Sequence, residues 1–459
     1  MTTIKLDPGA ALLLDALHGA GHAAYAVGGC VRDSLLGLAP HDWDLCTSAR
    51  PEQVMALFGE KKCIPTGLQH GTVTVKQGGR LYETTTFRTE GAYSDGRHPD
   101  AVCFVPDVRE DLARRDFTIN AMAYSAEEGL IDPFGGRDDL AAHLVRAVGE
   151  PERRFEEDAL RILRLYRFAA RFGFAIDPAT GAAARALGPH LDCVSAERIQ
   201  EELLKLLAAP RPGSYLEPAV LAVVLPELEP EKQPERFAEL CRTIDRIEPT
   251  AENVPARLAA LLWPLEEAGA RKALRKLKCS NALTDEVTAL EREAGGGAGS
   301  FLLPRSRDRW AGSSSEDRPL GWDPAAAGSR AGDGMARTVS EEKAPGTPGS
   351  EMQLTAKRLL GRYELPTIQR LTALCSARHP EQTGAFAALR AEAERLTAEN
   401  ACCRVSQLAV NGRDLMAAGV RPGPGLRQVL NALLEDVITG QTPNEKDALL
   451  AAAAQFSAS

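Results

Sequence analysis

The sequence predicts an α+β protein, with a head of mixed strands and helices over residues 1–148 and helices from there to the end of the chain. Three observations support this prediction. Strand and helix patterns alternate over the first part of the chain, helical periodicity takes over after Pro151, and the composition changes abruptly between residues 295 and 350. A chain of 459 residues is longer than one hydrophobic core usually serves, so we expect several domains.

The elements of the head can be predicted in chain order. Gly78-Gly79 between two β-rich runs predicts a hairpin, because paired glycines favour tight turns between strands. The predicted elements are a helix at 8–19, a strand at 23–27, a helix start at 31–36, a strand at 41–45, a helix at 51–58, and strands at 71–76 and 80–87.

Three helical regions are expected after the head, namely a neck at 149–209, a body at 210–380 and a tail at 381–459. The neck contains a helix at 157–172, which has apolar residues on one face and a row of arginines on the other. A break at 173–178 follows, then a helix at 197–207, and the last clear amphipathic helix is expected at 426–438. The Gly-, Ser- and Pro-rich segment 295–350 is predicted to be a disordered insertion into the body.

Composition excludes several classes of protein. Hydrophobic residues make up 44% and charged residues 25% of the chain, as in soluble globular proteins, and no apolar run is long enough to span a membrane. The first residues lack the pattern of a signal peptide, which favours a cytoplasmic location. The ten cysteines form no C-x-x-C pair, so we interpret them as reduced thiols rather than zinc ligands. The net charge of −9 does not exclude a nucleic-acid partner, since a local basic surface suffices.

A glycine pair and a pair of aspartates indicate the chemistry of the head. Gly28 and Gly29 follow a predicted strand and would let backbone N–H groups approach a triphosphate, while Arg32 could grip a phosphate. Asp42 and Asp44 stand at i and i+2, so on a strand both carboxylates project from one face.

Two Mg²⁺ ions could be bridged by this aspartate pair, because Mg²⁺ prefers oxygen ligands together with substrate phosphates. One ion would activate a sugar hydroxyl for attack on the α-phosphorus, and the other would hold the triphosphate and the departing pyrophosphate. Glu83 is the candidate for a third carboxylate from a neighbouring strand, and its alternative interpretation is a solvent-facing strand residue. A glycine pair or an Asp-x-Asp alone would be a weak signal, since surface turns contain both.

Seven motifs in order resemble the class II tRNA nucleotidyltransferases and bacterial poly(A) polymerases, a family of the DNA polymerase β-like nucleotidyltransferase superfamily. They are YAVGGCVRDSLLG, HDWDLCTSA, HGTVTV, YETTTFR, RRDFTINAMAYS, IDPFGGRDDL and EEDALRILRLYRFAARFGF. The C-terminal stretch from LAVNGRDLM to NEKDALL resembles the tail of the Bacillus-type CCA-adding enzymes. The resemblance implies a polymerase-β-like head with an all-helical neck, body and tail.

By position, the resemblance implies that Asp42 and Asp44 hold the metal ions and that Gly29 and Arg32 contact the incoming nucleotide. Arg115 and Asp116 would lie beside the ribose and phosphates, with Asn120 supporting them. Without the resemblance, a surface ion-pair cluster would be the preferred interpretation of Arg114, Arg115 and Asp116.

The resemblance also implies that Asp158 and Arg161, neighbours at i, i+3 on a helix, serve as an amino-acid template for the base. Cytosine and adenine each present an amino donor beside a ring-nitrogen acceptor, which a carboxylate and a guanidinium complement. Uracil and guanine present the reverse polarity and would leave groups unpaired, at a cost of about 1–3 kcal/mol each. Arg164 and Arg167 continue the row toward phosphate or base, and the alternative is an ordinary solvated helix face.

These features predict template-independent addition of CCA to the 3′ end of tRNA from CTP and ATP. The loop expected at 89–105 favours full CCA addition, because family members that add only CC lack it. The alternatives are a poly(A) polymerase or A-adding enzyme with the same site, and a non-catalytic RNA-binding protein. The oligomeric state stays open, with a homodimer among the alternatives. A basic run that either binds tRNA phosphates or forms a solvated helix face consists of Arg271, Lys272, Arg275, Lys276 and Lys278.

Overall fold

A computed structural model describes residues 3–91, 102–297 and 348–457. The chain divides into two compact units, Met1–Glu291 and Arg292–Ser459. The strands are β1 (Ala24–Val27), β2 (Leu45–Thr47), β3 (Cys63–Gly67), β4 (Thr72–Gln77), β5 (Arg80–Thr86), β6 (Arg88–Glu90), β7 (Val102–Phe104), β8 (Ala123–Ser125), β9 (Gly129–Ile131), β10 (Leu144–Val145) and β11 (Ala175–Ile176).

The helices of the first unit surround and follow these strands. They are α1 (Pro8–Gly19), α2 (Gly29–Leu35), α3 (Pro51–Phe58), α4 (Val108–Ala113), α5 (Gly136–Ala141), α6 (Pro151–Glu157), α7 (Leu160–Phe172), α8 (Pro178–Ala186), α9 (Ala196–Leu207), α10 (Pro218–Val224), α11 (Pro234–Arg246), α12 (Val254–Leu262), α13 (Glu266–Lys276) and α14 (Asn281–Arg292).

The first unit contains a seven-stranded sheet in the order β3-β4-β5-β2-β1-β8-β9. Neighbouring strands are antiparallel except β2 and β5, which are parallel, so the sheet is mixed as predicted. The α+β fold class is therefore confirmed. A buried cluster lies against this sheet and comprises Tyr25, Val27, Cys46, Phe87, Val108, Leu112, Ala121, Ala123 and Val148.

Local sequence explains several boundaries. Helix α1 begins at Pro8 because the Asp7 side chain accepts hydrogen bonds from the backbone N–H groups of Gly9 and Ala10. The predicted hairpin is formed by β4 and β5, which pair from Thr72 opposite Thr85 to Gln77 opposite Arg80. Gly78 and Gly79 both have positive φ, which the tight turn requires.

Two predicted elements differ in the structure. The strand predicted at 41–45 is wrong, because β2 begins only at Leu45, where the chain starts to pair with both β1 and β5. The continuous helix predicted at 157–172 is also wrong, since α6 ends at Glu157 and Asp158 is extended, with φ −148° and ψ 102°. The Asp158 carboxylate instead accepts the Leu160 N–H and so satisfies the beginning of α7.

The neck is helical apart from β11, which pairs in parallel with β10 of the head. This small ribbon occupies the break predicted at 173–178. Gly173, with φ 67°, ends α7 and lets the chain turn into it.

The second unit is helical over the residues that the structure describes. A short π-helical segment, Glu293–Gly297, precedes helices α15 (Pro348–Arg362), α16 (Leu365–Arg378), α17 (Thr383–Ala398), α18 (Gly412–Ala417), α19 (Pro424–Thr439) and α20 (Lys446–Ser457). The last three helices enclose an apolar cluster of Val410, Leu415, Val429, Leu433, Val437, Leu449 and Ala453.

Two predicted segments are only partly described. Strands β6 and β7 form an antiparallel ribbon at the ends of the loop predicted at 89–105, and residues 92–101 lie outside the described residues. Most of the insertion predicted at 295–350 also lies outside them, while its two ends are helical. The boundary between the two units falls inside the predicted body. Among the described helices, none has both the length and the apolar character that crossing a membrane requires.

Candidate active site

A glycine turn joins β1 to α2. Gly28 has φ 75° and ψ −122°, a conformation that favours glycine. A Cβ at this position would lie 2.7 Å from Nη1 of Arg115, so the side chain of the RRDFTINA motif packs directly on the turn. The sequence-predicted Gly28, Gly29 and Arg115 therefore lie together.

Three carboxylates stand at one edge of the central strands. Asp42 and Asp44 are exposed and directly precede β2, whose parallel register with β5 pairs Leu45 with Thr84. This register places Glu83, also exposed, beside Asp44. The backbone carbonyl of Asp44 accepts the Val27 N–H at 2.9 Å, which fixes the pair next to the glycine turn.

The charges of these carboxylates act on one another. The pKa of Asp44 is raised to about 6, mainly because the surrounding protein displaces water from its carboxylate. The negative charge of Glu83 and, to a smaller extent, that of Asp42 also raise this pKa, whereas the positive charge of Arg115 lowers it. The described residues include no group of three or more His, Cys, Asp or Glu arranged closely enough to hold a metal ion as they stand. The arrangement is an acidic site with unbalanced negative charge.

Arg32 is a buried link between α2 and α7, with 3% of its surface exposed. Its guanidinium donates to Asp33 at 2.7 Å and to the side-chain oxygen of Asn120, and it lies over the rings of Phe168 and Phe172. Its predicted contact with a phosphate would require one of these partners to give way.

Asp116 is also buried and has four hydrogen-bond donors around it. Oδ1 accepts from the Phe117 backbone and the Asn120 side chain, and Oδ2 accepts from Nε and Nη2 of Arg164 at 2.9 and 2.5 Å. Burial alone would raise the pKa of Asp116, but Arg164 and the Asn120 amide hold it well below its usual range. A ribose hydroxyl could bind here only by replacing one of these donors.

Asp158 and Arg161 lie at the beginning of α7, although they do not share one helix. Nη1 of Arg161 donates to Glu157 at 2.8 Å and to the carbonyl of Arg154, and Nη2 donates to the carbonyl of Arg114. Arg161 is thus held against the head by Arg114, the residue that directly precedes Arg115 and Asp116 in the RRDFTINA motif. The Asp158 carboxylate forms a two-pronged ion pair with Arg198.

The remaining arginines of the row are paired with buried acids. Arg164 binds Asp116, and Arg167 donates to Glu202 at 2.5 Å while its guanidinium lies 4.0 Å from the centre of the Phe168 ring. Arg164 and Arg167, which the sequence predicts to face phosphate or base, are thus engaged by acidic side chains of the protein itself.

Three supporting residues were missed by the sequence reasoning. Arg198 and Glu202 stand at i and i+4 on α9, so they face α7 together. Asp111, fully buried on α4, lies within ion-pair distance of Arg114 and Arg115. Their spacing on amphipathic helices was the available signal, but it does not reveal which residues they face.

The predicted basic run lies on and just after α13. Arg271 is engaged by Asp285 at 2.9 Å and by Thr288. Lys272, Arg275, Lys276 and Lys278 are exposed, as a phosphate-binding surface requires.

Comparison with known families finds three matches along the chain. Residues 24–146 match the poly A polymerase head domain, and residues 173–232 match the probable RNA- and SrmB-binding site of polymerase A. Residues 365–453 match the family described as "tRNA nucleotidyltransferase domain 2 putative".

Whole-chain comparisons find relatives of similar length. The CCA-adding enzyme of Limosilactobacillus fermentum is 34% identical over 97% of this chain and 96% of its own, and that of Levilactobacillus brevis is 35% identical over 96% of both. The crystal structure of the Bacillus stearothermophilus CCA-adding enzyme in complex with CTP has a TM-score of 0.73 and 31% identity, covering 98% of each chain. The Thermotoga maritima CCA-adding enzyme complexed with tRNA, at 20% identity and a TM-score of 0.62, shares the fold.

Proposed function

The chain belongs to the family of CCA-adding enzymes, and we propose that it adds C, C and A in turn to the 3′ end of tRNA, using CTP and ATP and releasing pyrophosphate. The observation that carries the proposal is that a carboxylate, Asp158, and a guanidinium, Arg161, both lie at the beginning of α7, each held by other residues of the neck and head. Both side chains are held by fixed partners, so they present a constant pattern to a base.

Base selection follows from the polarity of this pair. The carboxylate accepts a hydrogen bond from the amino group of cytosine or adenine, and the guanidinium donates to the adjacent ring nitrogen. Uracil and guanine would place an acceptor against the carboxylate and a donor against the guanidinium. Each unpaired group costs about 1–3 kcal/mol, which accounts for rejection of both bases.

The three neighbouring carboxylates of Asp42, Asp44 and Glu83 favour the binding of a divalent cation. Exposed oxygen ligands from Asp42 and Asp44, with Glu83 beside them, match the preference of Mg²⁺. Burial and then the charges of Glu83 and Asp42 raise the pKa of Asp44, and a bound cation would offset these effects. When bound, a pair of Mg²⁺ ions would lower the pKa of the RNA 3′-hydroxyl and offset charge on the pyrophosphate. The protein's own part is to hold Asp42 and Asp44 through the backbone bond to Val27 and to keep Arg115 against the glycine turn.

The tRNA body would bind through phosphates rather than through its sequence. Lys272, Arg275, Lys276 and Lys278 form an exposed basic surface in a chain whose net charge is −9. A concentrated positive surface on an acidic protein favours one orientation of a polyanion. We also propose a cytoplasmic location, where tRNA is matured.

The deciding experiment is extension of a tRNA that ends before CCA, with labelled CTP alone, ATP alone and both together. Ordered incorporation of C, C and A with both nucleotides, dependent on added Mg²⁺ and abolished by a chelator, is the expected result. Incorporation of A alone or of long A tails would favour a poly(A) polymerase or A-adding enzyme. No incorporation would favour a non-catalytic RNA-binding protein.

A further inference from the structure

Helix α9 lies against α7, and two of its charged side chains, Arg198 and Glu202, form ion pairs with Asp158 and Arg167. Ile199 and Leu203 are buried, with 8% and 1% of their surface exposed, and Glu202 on the same helix binds Arg167. The position of Arg198 is therefore set by packing on both sides of it, unlike that of a freely moving surface arginine.

The contacts of Asp158 can be counted atom by atom. Oδ1 accepts the Leu160 N–H at 3.1 Å and Nη1 of Arg198 at 3.2 Å, so both of its lone pairs are used. Oδ2 accepts Nη2 of Arg198 at 2.8 Å, which leaves one lone pair without a donor among the described residues. The side chains of Asp158 and Arg198 are 15% and 21% exposed, so this ion pair is only partly buried.

The contacts of Arg161 leave some of its N–H donors unused, which complements the unused acceptor of Asp158. Nη1 spends both of its hydrogens on Glu157 and the Arg154 carbonyl, and Nη2 spends one on the Arg114 carbonyl. The hydrogen on Nε and the second hydrogen on Nη2 have no hydrogen-bond acceptor among the described residues. A base with one donor next to one acceptor fits what the pair has left.

We infer that Arg198 is a positioning residue that sets nucleotide choice, because it fixes the single direction from which Asp158 can accept a hydrogen bond. This inference rests on the proposed function and names a residue outside the predicted template. With Arg198 in place, the carboxylate cannot rotate its plane without breaking two charge-assisted hydrogen bonds. Without it, only the Leu160 N–H holds the carboxylate, which can turn aside when a uracil oxygen approaches.

The matched variants are Arg198→Met and Arg198→Lys, with Lys205→Met as control. Lys205 lies on the same helix, is exposed, and loses one ion pair, with Glu201, when replaced. Each variant is assayed on tRNA ending before CCA for kcat/KM with CTP and with UTP separately. The ratio of kcat/KM for CTP to that for UTP is expected to fall about 10-fold in Arg198→Met, the effect of misdirecting one hydrogen bond.

Arg198→Lys keeps the charge but cannot form a two-pronged pair, so we expect a smaller fall in the ratio. The control is expected to keep the ratio of the unaltered enzyme. Melting temperatures are measured in parallel, and if Arg198→Met does not fold, the lysine variant alone decides. An unchanged CTP:UTP ratio in a folded Arg198 variant overturns the inference, as does a loss of activity toward both nucleotides in equal proportion.

A double-mutant cycle tests whether Arg198 acts through Asp158. In an Asp158→Ala background, Arg198→Met should leave the CTP:UTP ratio where Asp158→Ala alone puts it. A further fall in that background would overturn the inference. An unaltered enzyme that adds no nucleotide refutes the proposed function, whereas normal CCA addition with an unchanged ratio in the variants refutes only the role of Arg198.

Discussion

Replacing Asp116 by asparagine keeps the size of the side chain and removes the carboxylate oxygen that receives two hydrogen bonds from Arg164. The side-chain oxygen of the new asparagine can still accept hydrogen bonds from the Phe117 N–H and the Asn120 side chain. The new NH₂ group then faces two N–H groups of Arg164, donor against donor. The substitution therefore isolates the link between the head, which carries Asp116, and α7, which carries Arg164.

The size of the effect follows from these contacts. A hydrogen bond to a charged group contributes about 1.5–3 kcal/mol, and two are lost. The Arg164 side chain is 34% exposed and Glu202 lies 4.0 Å from it, so water and a second carboxylate recover part of the loss. We expect Asp116→Asn to lower the free energy of unfolding by about 2–4 kcal/mol, which extends below the roughly 3–5 kcal/mol for breaking a fully buried ion pair because Arg164 is partly exposed.

The pH dependence has a definite sign. The pKa of Asp116 is lowered in the folded protein, so its contribution to stability is fully present above the unfolded pKa of about 4 and is lost as the pH falls through the lower folded value. The difference between the unaltered protein and Asp116→Asn should be constant from pH 6 to 8, roughly two units above that unfolded pKa, and should shrink in acid.

Urea unfolding at pH 7, followed by circular dichroism, measures the effect. Asp15→Asn on the exposed face of α1 is the control and should change stability by less than about 0.5 kcal/mol. In an Arg164→Met background the cost of Asp116→Asn should fall by at least about 1 kcal/mol, because the pair is already broken. Equal costs in both backgrounds would refute the assignment of the stability to this pair.

Three further predictions concern single substitutions. Asp42→Ala should abolish nucleotide transfer while tRNA affinity, measured by filter binding, changes less than about 3-fold, since the phosphate contacts lie elsewhere; retained transfer would remove the metal assignment. Arg161→Ala should admit UTP or GTP in primer extension, because the donor that rejects a ring N–H is gone; unchanged fidelity would remove the template assignment. Burial and the charge of Glu267 raise the pKa of Glu291 to about 8, and neither carboxylate oxygen has a hydrogen-bond partner among the described residues. A raised acid pKa makes stability fall as the pH rises from the unfolded value through about 8, so Glu291→Gln should remove this slope and be more stable at pH 8 by about 1–3 kcal/mol; parallel urea-unfolding curves from pH 5 to 8 would contradict it.

Much of the head could be predicted from local pattern. Helix α1 and helix α3 begin and end at the predicted residues, and the β4–β5 hairpin lies where the glycine pair indicated. These elements depend on caps, turns and periodicity within a few residues of each other. The start of β2 was predicted too early, because the alternation at 41–45 does not show where pairing with the neighbouring strands begins.

The break at Asp158 could not be predicted in the same way. The sequence from 157 to 172 has unbroken helical periodicity, and the capping preference of Asp158 alone does not show that the helix is interrupted there. Its partner, Arg198, is 40 residues further along the chain, and the extended backbone at Asp158 accompanies that ion pair. A local bond to the Leu160 N–H and a long-range ion pair therefore both accompany the departure from helical preference here.

By itself, the sequence determined which chemical groups the site contains and the order in which they occur, since the glycine turn, the aspartate pair and the arginine row are local patterns that a resemblance could identify. Only the tertiary structure decided which of those charges are already neutralised. Arg164 and Asp116 are 48 residues apart and Arg167 and Glu202 are 35 apart, yet each pair is in contact. Charge pairing depends on distance in space, and at such separations distance in space is set by the packing of sheet and helices.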